Sequence, residues 1–256
     1  MELGLKDKVA IVTGGSKGLG FAAVQALAAE GAHVALCARN KTEVEAAAAQ
    51  FDHVKGYVVD VRDPEALTAF IAQVADDFGG IDILVNNAGG AHPGTPESMS
   101  DEAFLADFDI KVHSWHRAIR AALPHLRRSA QARVINIGSV YGDYPDPGFF
   151  STSVHRAAGE NLTKTWAAQL GREDILVNLV NIGVIETPQW QNIREKRAPE
   201  LSLEEFLQRT VEEDIPLGRI GQPKELGAVV AFLASAQASY VTGAVIDVAG
   251  GMGIRF

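Results

Sequence analysis

At 256 residues and 47% hydrophobic content, the chain can fill one sizeable α/β core and needs no second domain. A formal net charge of −9 argues against a nucleic-acid surface, and a single cysteine, Cys37, excludes an internal disulfide and suits a reducing cytoplasm. No apolar run reaches the length of a membrane span, and Met1-Glu2-Leu3-Gly4 carries no signal-like segment, so a soluble, cytoplasmic protein with a small-molecule partner is expected.

Apolar runs at residues 9–12, 34–38, 57–59, 83–85, 133–137, 176–180 and 244–248 are separated by segments of helical spacing. Runs without polar alternation suit strands buried on both faces of a parallel sheet, joined by right-handed helical crossovers. The pattern predicts a single-domain, doubly wound α/β fold over residues 1–256, with helices on both faces. Cys37 falls inside the second run and reads as a core residue rather than a nucleophile. Ligands in such sheets lie beyond the carboxyl ends of the strands, so the residues just after each run should line the site.

After the first run come Thr13-Gly14-Gly15 and then Gly18 and Gly20 at the start of a helix. A helix start offers unpaired N–H groups, and glycines let a diphosphate approach the backbone. After the second run stands Arg39, with Lys17 in the glycine turn close to the same place. An arginine fork there suits a 2′-phosphate, which points to NADP(H); the alternative is two solvated surface cations. The T-G-x-x-x-G-x-G spacing, Asp60-Val61 after the third run and Asn86-Asn87-Ala88-Gly89 after the fourth together resemble the short-chain dehydrogenase/reductase family. The tail, with Pro216-Leu217-Gly218-Arg219, Tyr240-Val241-Thr242-Gly243 and Gly250-Gly251, is similar to that of acyl-carrier-protein reductase-type members. The resemblance implies a Rossmann fold, NADP(H) as cofactor and a cofactor site at Gly14, Ser16, Lys17, Gly18, Leu19, Gly20, Arg39, Asp60, Val61, Asn87, Ala88, Gly89, Ile185 and Thr187. It also implies a substrate lid near residues 188–215, holding Trp190, Arg194 and Arg197, and a homodimer or homotetramer built on helices at 100–128 and 151–170.

By the same resemblance, catalysis needs a Ser after the fifth strand, a Tyr thirteen positions on, a Lys one helical turn later and an Asn on the preceding long helix. Ser139 matches the first. The Tyr and Lys positions fall on Thr152 and Arg156, a register supported by Ala157-Ala158 and Leu162-Thr163, and the Asn position falls on Lys111. An aliphatic hydroxyl is too weak an acid to replace a phenol, so another group must supply the proton after hydride transfer. Lys111 is the first candidate, because a partly desolvated ammonium facing Arg156 has a depressed pKa. His155, three residues from Thr152 on the helix, is the second, and Tyr141 and Tyr144 are the third. The bland alternatives are a snorkelling surface lysine, a packing histidine and loop-anchoring tyrosines. The expected activity is NADP(H)-dependent redox chemistry on a small carbonyl or hydroxyl substrate, with the two cations favouring an anionic one. The alternative is a member that binds NADP(H) but acts as an isomerase, dehydratase, cyclase or nucleotide sensor. No metal site is expected.

Overall fold

The computed structural model describes residues 2–253; Met1 and residues 254–256, the ends of the expected 1–256 domain, lie outside the described residues. In chain order the elements are β1 (Val9–Thr13), α1 (Gly18–Ala29), β2 (His33–Ala38), α2 (Lys41–Ala48), β3 (Val54–Val58), α3 (Pro64–Phe78) and β4 (Ile83–Asn86). They continue with α4 (Asp101–Phe108), α5 (Ser114–Leu126), β5 (Arg133–Ser139), α6 (Phe150–Leu170), β6 (Leu176–Ile182), α7 (Gln189–Arg197), α8 (Leu203–Asp214), α9 (Pro223–Ala234) and β7 (Val245–Val248).

All strand pairs are parallel, in the order β3-β2-β1-β4-β5-β6-β7, with Ile11 opposite both Ala35 and Leu84. Alternation along the central strands feeds two cores. Ala10 and Val12 of β1 pack with Val24 and Leu27 of α1 and Leu226 and Val230 of α9, while Val9 and Ile11 pack with Leu67 and Ile71 of α3 and Ile119 of α5. The sheet is thus covered on both faces, which explains why β1, β2 and β4 are apolar apart from their end residues, while β5 and β6 bury Asn136, Asn178 and Asn181. A smaller third cluster joins Val140 and Phe149 to Trp190 and Ile193 of α7 and Ile215 beyond α8. The chain steps outward from β1 to β3, then returns to the other side of β1 for β4. That reversal opens a crevice at the carboxyl ends of β1 and β4, where such folds bind ligands.

Two elements differ from the sequence expectation. The third strand spans Val54–Val58 rather than 57–59, because it is the sheet edge and needs no continuous apolar run; Lys55 and Val58 are exposed there. Gly56 lies under α2, where a Cβ would come 2.6 Å from Val44 Cγ1. The helix expected over 100–128 is broken: between α4 and α5, residues Asp109–His113 form a turn of π-helix. Such an extra-residue turn redirects a side chain, and here it carries Lys111 into the interior.

Candidate active site

A cleft of about 630 Å³ runs across the carboxyl ends of the strands. Its first half is built by the glycine turn. Gly14 takes φ +67° and donates its N–H to the Cys37 carbonyl at 2.8 Å, which closes the chain back across the sheet. A Cβ on Gly20 would lie 2.1 Å from the Gly14 carbonyl oxygen and 2.4 Å from Asn87 Nδ2, so the turn tolerates no side chain there. Asn87 fixes the turn from behind by donating to the carbonyls of Thr13 (3.0 Å) and Gly14 (3.1 Å). No side chain caps the start of α1 and no acid lies in its first turn, leaving its N–H groups and partial positive charge to an anion.

Of the expected cofactor residues, all but Ile185 line this cleft. Ile185 is buried, and its carbonyl accepts the Trp190 indole N–H at 2.6 Å, so it anchors α7 rather than facing a ligand. Thr187 Oγ1 is buried without a hydrogen-bond partner among the described residues, as a polar atom awaiting a ligand should be. Arg39 faces the cleft, while Asp60 is gripped by Arg62, which donates Nη2 at 2.6 Å and Nε at 3.0 Å and holds the carboxyl below its usual range. Cys37 is fully buried, and burial pushes its thiol up to about 12, consistent with an inert core residue. These residues fit a dinucleotide: an uncapped helix start, a turn closed to side chains and an orphaned hydroxyl.

The second half surrounds the end of β5. Ser139 lies at the cleft wall, its Oγ accepting the Tyr141 N–H at 3.3 Å. Thr152 and Arg156 of α6 stand on the same wall. Arg156 donates Nη1 to the Ile137 carbonyl at 2.8 Å, and its guanidinium carbon lies 5.4 Å from the Trp115 ring centre. Its Nε has no hydrogen-bond partner among the described residues, and burial draws its pKa down to about 10 against the pull of Asp107.

Lys111 is neither a surface lysine nor a direct part of the wall. It is fully buried behind Thr152, and its ammonium donates to Thr152 Oγ1 and to Asp107 Oδ2, each at 2.8 Å. Burial, reinforced by the Arg156 charge and opposed by Asp107, lowers its pKa to about 8. Asp107 is the hub the sequence did not disclose. Its Oδ2 also accepts His155 Nδ1 at 3.0 Å, and its Oδ1 meets His92 Nδ1. Burial alone pushes this carboxyl up, but the hydrogen bonds from His155 and His92 and the Lys111 charge outweigh it and hold the group ionised. His155 does not face the cleft either: it is sealed between Asp107 and the Phe104 ring, 4.3 Å between centroids. Only spacing links Asp107 to Lys111 in the sequence, as an i,i+4 pair; nothing marks His92.

The remaining candidates separate as follows. Tyr141 lines the cleft, stacked on Phe149, and burial raises its phenol to about 12; Tyr144 does not line it. Trp190 lines the cleft from α7, whereas Arg194 and Arg197 do not. Arg197 pairs with Asp146 at 3.0 Å and covers Phe149, and the α7 cation that reaches the cleft is Lys196.

Fold and cleft together define a dinucleotide-binding α/β protein. Residues 14–253 match the family model described as enoyl-(acyl carrier protein) reductase. A 3-oxoacyl-(acyl-carrier-protein) reductase from Vibrio cholerae is 34% identical over 252 residues, covering 98% of this chain and 99% of the relative. A short chain oxidoreductase from Pseudomonas aeruginosa, described as containing an atypical catalytic center, is 34% identical with a TM-score of 0.91, over 99% of this chain and all of that one. The L-sorbose reductase of Gluconobacter frateurii, complexed with NADPH and L-sorbose, is 32% identical with a TM-score of 0.95 over the whole of both chains. The chain belongs to the short-chain dehydrogenase/reductase family, a family of oxidoreductases. Among the described residues no helix is long and apolar enough to cross a membrane.

Proposed function

We propose that this protein is an NADP(H)-dependent oxidoreductase that interconverts a small carbonyl compound and its alcohol, with a rebuilt proton-donating centre. The observation that carries this reading is the unbroken hydrogen-bonded run from cleft-facing Thr152 to buried Lys111 and Asp107. The L-sorbose reductase structure with NADPH supports the cofactor, and Arg39 and Lys17 on the cleft wall suit its 2′-phosphate. The glycine turn and the start of α1 hold the diphosphate, and Thr187 offers its hydroxyl to the nicotinamide end.

When bound, NADP(H) supplies or accepts the hydride. The protein's own residues handle the rest. Ser139 orients the substrate oxygen with its hydroxyl hydrogen. Thr152 already accepts a hydrogen bond from Lys111, so its own hydrogen is left for the cleft. In the reducing direction the substrate oxyanion takes that hydrogen while the Lys111 ammonium passes a proton to Thr152 Oγ1, leaving a neutral amine. Threonine is then a conduit, and the acid strength comes from the lysine behind it. Arg156 stabilises the developing oxyanion and, with Lys196, favours substrates carrying an acidic group. Residues 188–215, α7 and α8 included, form the lid. Exposed Leu105 and Phe108 of α4 and Val154 of α6 provide a face for self-association as a dimer or tetramer.

The second reading is NADP(H) binding with non-redox chemistry or a sensing role; what favours it is that the ammonium stands behind the wall rather than on it. Titrating NADPH fluorescence tests the pocket, and following the nicotinamide absorbance with a panel of keto acids, ketosugars and quinones tests redox. Turnover that survives Thr152→Ser and collapses in Lys111→Met supports the first reading. Cofactor binding with no turnover across the panel supports the second.

A further inference from the structure

One acidic residue sits where an NADP(H) site should repel it. Glu43, in the first turn of α2, has its backbone N–H fixed by Asn40 Oδ1 at 3.2 Å, which points the side chain back over the glycine turn. There its Oε1 accepts from Lys17 Nζ at 2.8 Å and its Oε2 from Ser16 Oγ at 3.4 Å. Glu43, Ser16, Lys17 and Arg39 all face the cleft. The carboxylate therefore occupies the two side-chain donors of the turn that a 2′-phosphate would otherwise use. The other acid nearby, Asp60, is committed to Arg62 and does not compete. The Lys17–Glu43 pair is solvent-exposed, with side chains 64% and 37% accessible, so it is a weak tie that a ligand can open.

Resting on the reading that this cleft binds a dinucleotide, we propose that Glu43 sets the cofactor preference and lets the site take NAD(H) as well as NADP(H). Against an unphosphorylated adenosine, the carboxylate accepts the ribose 2′-hydroxyl while Lys17 stays paired with it. Against a 2′-phosphate, the same carboxylate is a like charge that must swing away and surrender Lys17 and Ser16 to the phosphate oxygens. Arg39 makes no ion pair among the described residues and favours the phosphate, so the balance between Arg39 and Glu43 decides the ratio.

The test is a pair of dissociation constants, for NADPH and NADH, measured by fluorescence titration on the wild type and on Glu43→Gln and Glu43→Ala. The glutamine variant keeps the backbone bond to Asn40 and the side-chain size. The expected result is a tighter NADPH and a weaker NADH constant, with their ratio moving about tenfold toward NADPH, the size of one charge-pair change near the surface. The fragments 2′,5′-ADP and AMP, read by calorimetry, should move in the same ratio, because they carry only the adenosine end. A ratio unchanged in both variants, or both constants shifting together, overturns the proposal while leaving the dinucleotide reading standing. If the wild type binds neither cofactor, both readings fall.

Discussion

The two ends of the cleft solve the same problem, holding charge against a ligand, in opposite ways. At the end proposed to take the adenosine the ions are exposed: Lys17 with Glu43, Arg62 with Asp60, and the fork of Arg39. At the end proposed for the reaction, Lys111 and His155 are buried and bonded to Asp107, and Arg156 is buried nearby, bonded to the Ile137 carbonyl. Exposed pairs are screened and interchangeable, so they tune selectivity at small energetic stakes. Buried ones are not interchangeable: removing one member strands the others away from water. Mutations at the two ends should therefore differ in kind, unfolding or chemical failure at one and shifted cofactor ratios at the other.

The largest expected effect is at Asp107. Asp107→Asn leaves Lys111 and Arg156 without their countercharge and should lower unfolding stability by about 3 kcal/mol at pH 6, measured by urea denaturation. The loss should shrink as the pH rises past about 8, where wild-type Lys111 also sheds its proton and no longer needs the Asp107 countercharge. Adding Lys111→Met to Asp107→Asn should restore much of the stability, since the orphaned charge is gone; no restoration would mean that Asp107 matters mainly through its histidines. The linkage has a definite sign in the wild type. Asp107, its pKa depressed on folding, contributes stability above the ordinary carboxylate range and loses it as the pH falls below. Lys111 is depressed from 10.5 to about 8, so between those values the unfolded chain holds a proton the folded one lacks, and stability rises with pH across that window.

Next in size is Thr152→Val, which cuts the conduit without touching the cofactor half. Carbonyl reduction should fall about a hundredfold or more, the usual contribution of a positioned acid, with the NADPH dissociation constant unchanged. An equal fall in NADPH affinity would place Thr152 at the cofactor instead. The pH profile sharpens the same point. If Lys111 is the acid, reduction is full below pH 8 and declines about tenfold per unit above it, whereas oxidation of the alcohol, which needs the neutral amine, rises through the same range. A flat reduction profile between pH 7 and about 9 would remove Lys111 from the step.

The contrast also decides what could be read without coordinates. The glycine turn is legible because its chemistry lies in one contiguous segment: spacing alone places Gly14, Gly18 and Gly20, and Arg39 follows directly from the end of the second apolar run. Strands β1, β2 and β4 are legible for a related reason, since burial on both faces leaves a nearly unbroken apolar run. The third strand starts at Val54, ahead of the apolar run at 57–59, because an edge strand lacks that signature and Gly56 and Lys55 interrupt it. Ser139 and Thr152 could be placed by counting, but the order in depth could not. Lys111 lies behind Thr152 because of a π-turn that the residue pattern of 109–113 does not announce, and Asp107 and His92 meet only through the fold. His155 stands at i+3 from Thr152, yet helix phase alone does not reveal that Phe104 and Asp107 close over it.

The smallest effect belongs to the exposed end, and it tests whether that end does select. Arg39→Ala removes a planar fork that makes no ion pair among the described residues, unlike Arg62 or Lys17, and acts on Asp60 only through its charge. Stability should therefore change little, within about 0.5 kcal/mol. NADPH should weaken by about tenfold, the worth of a charge-assisted hydrogen bond in a solvated site, and NADH by less than about twofold. Because Arg39 and Glu43 act in opposite senses on the same 2′-position, Arg39→Ala combined with Glu43→Gln should return the NADPH-to-NADH ratio toward that of the wild type. Equal weakening of both cofactors by Arg39→Ala would show that the arginine packs on the adenine rather than reading the ribose, and the selecting charge would then have to be Lys17 alone.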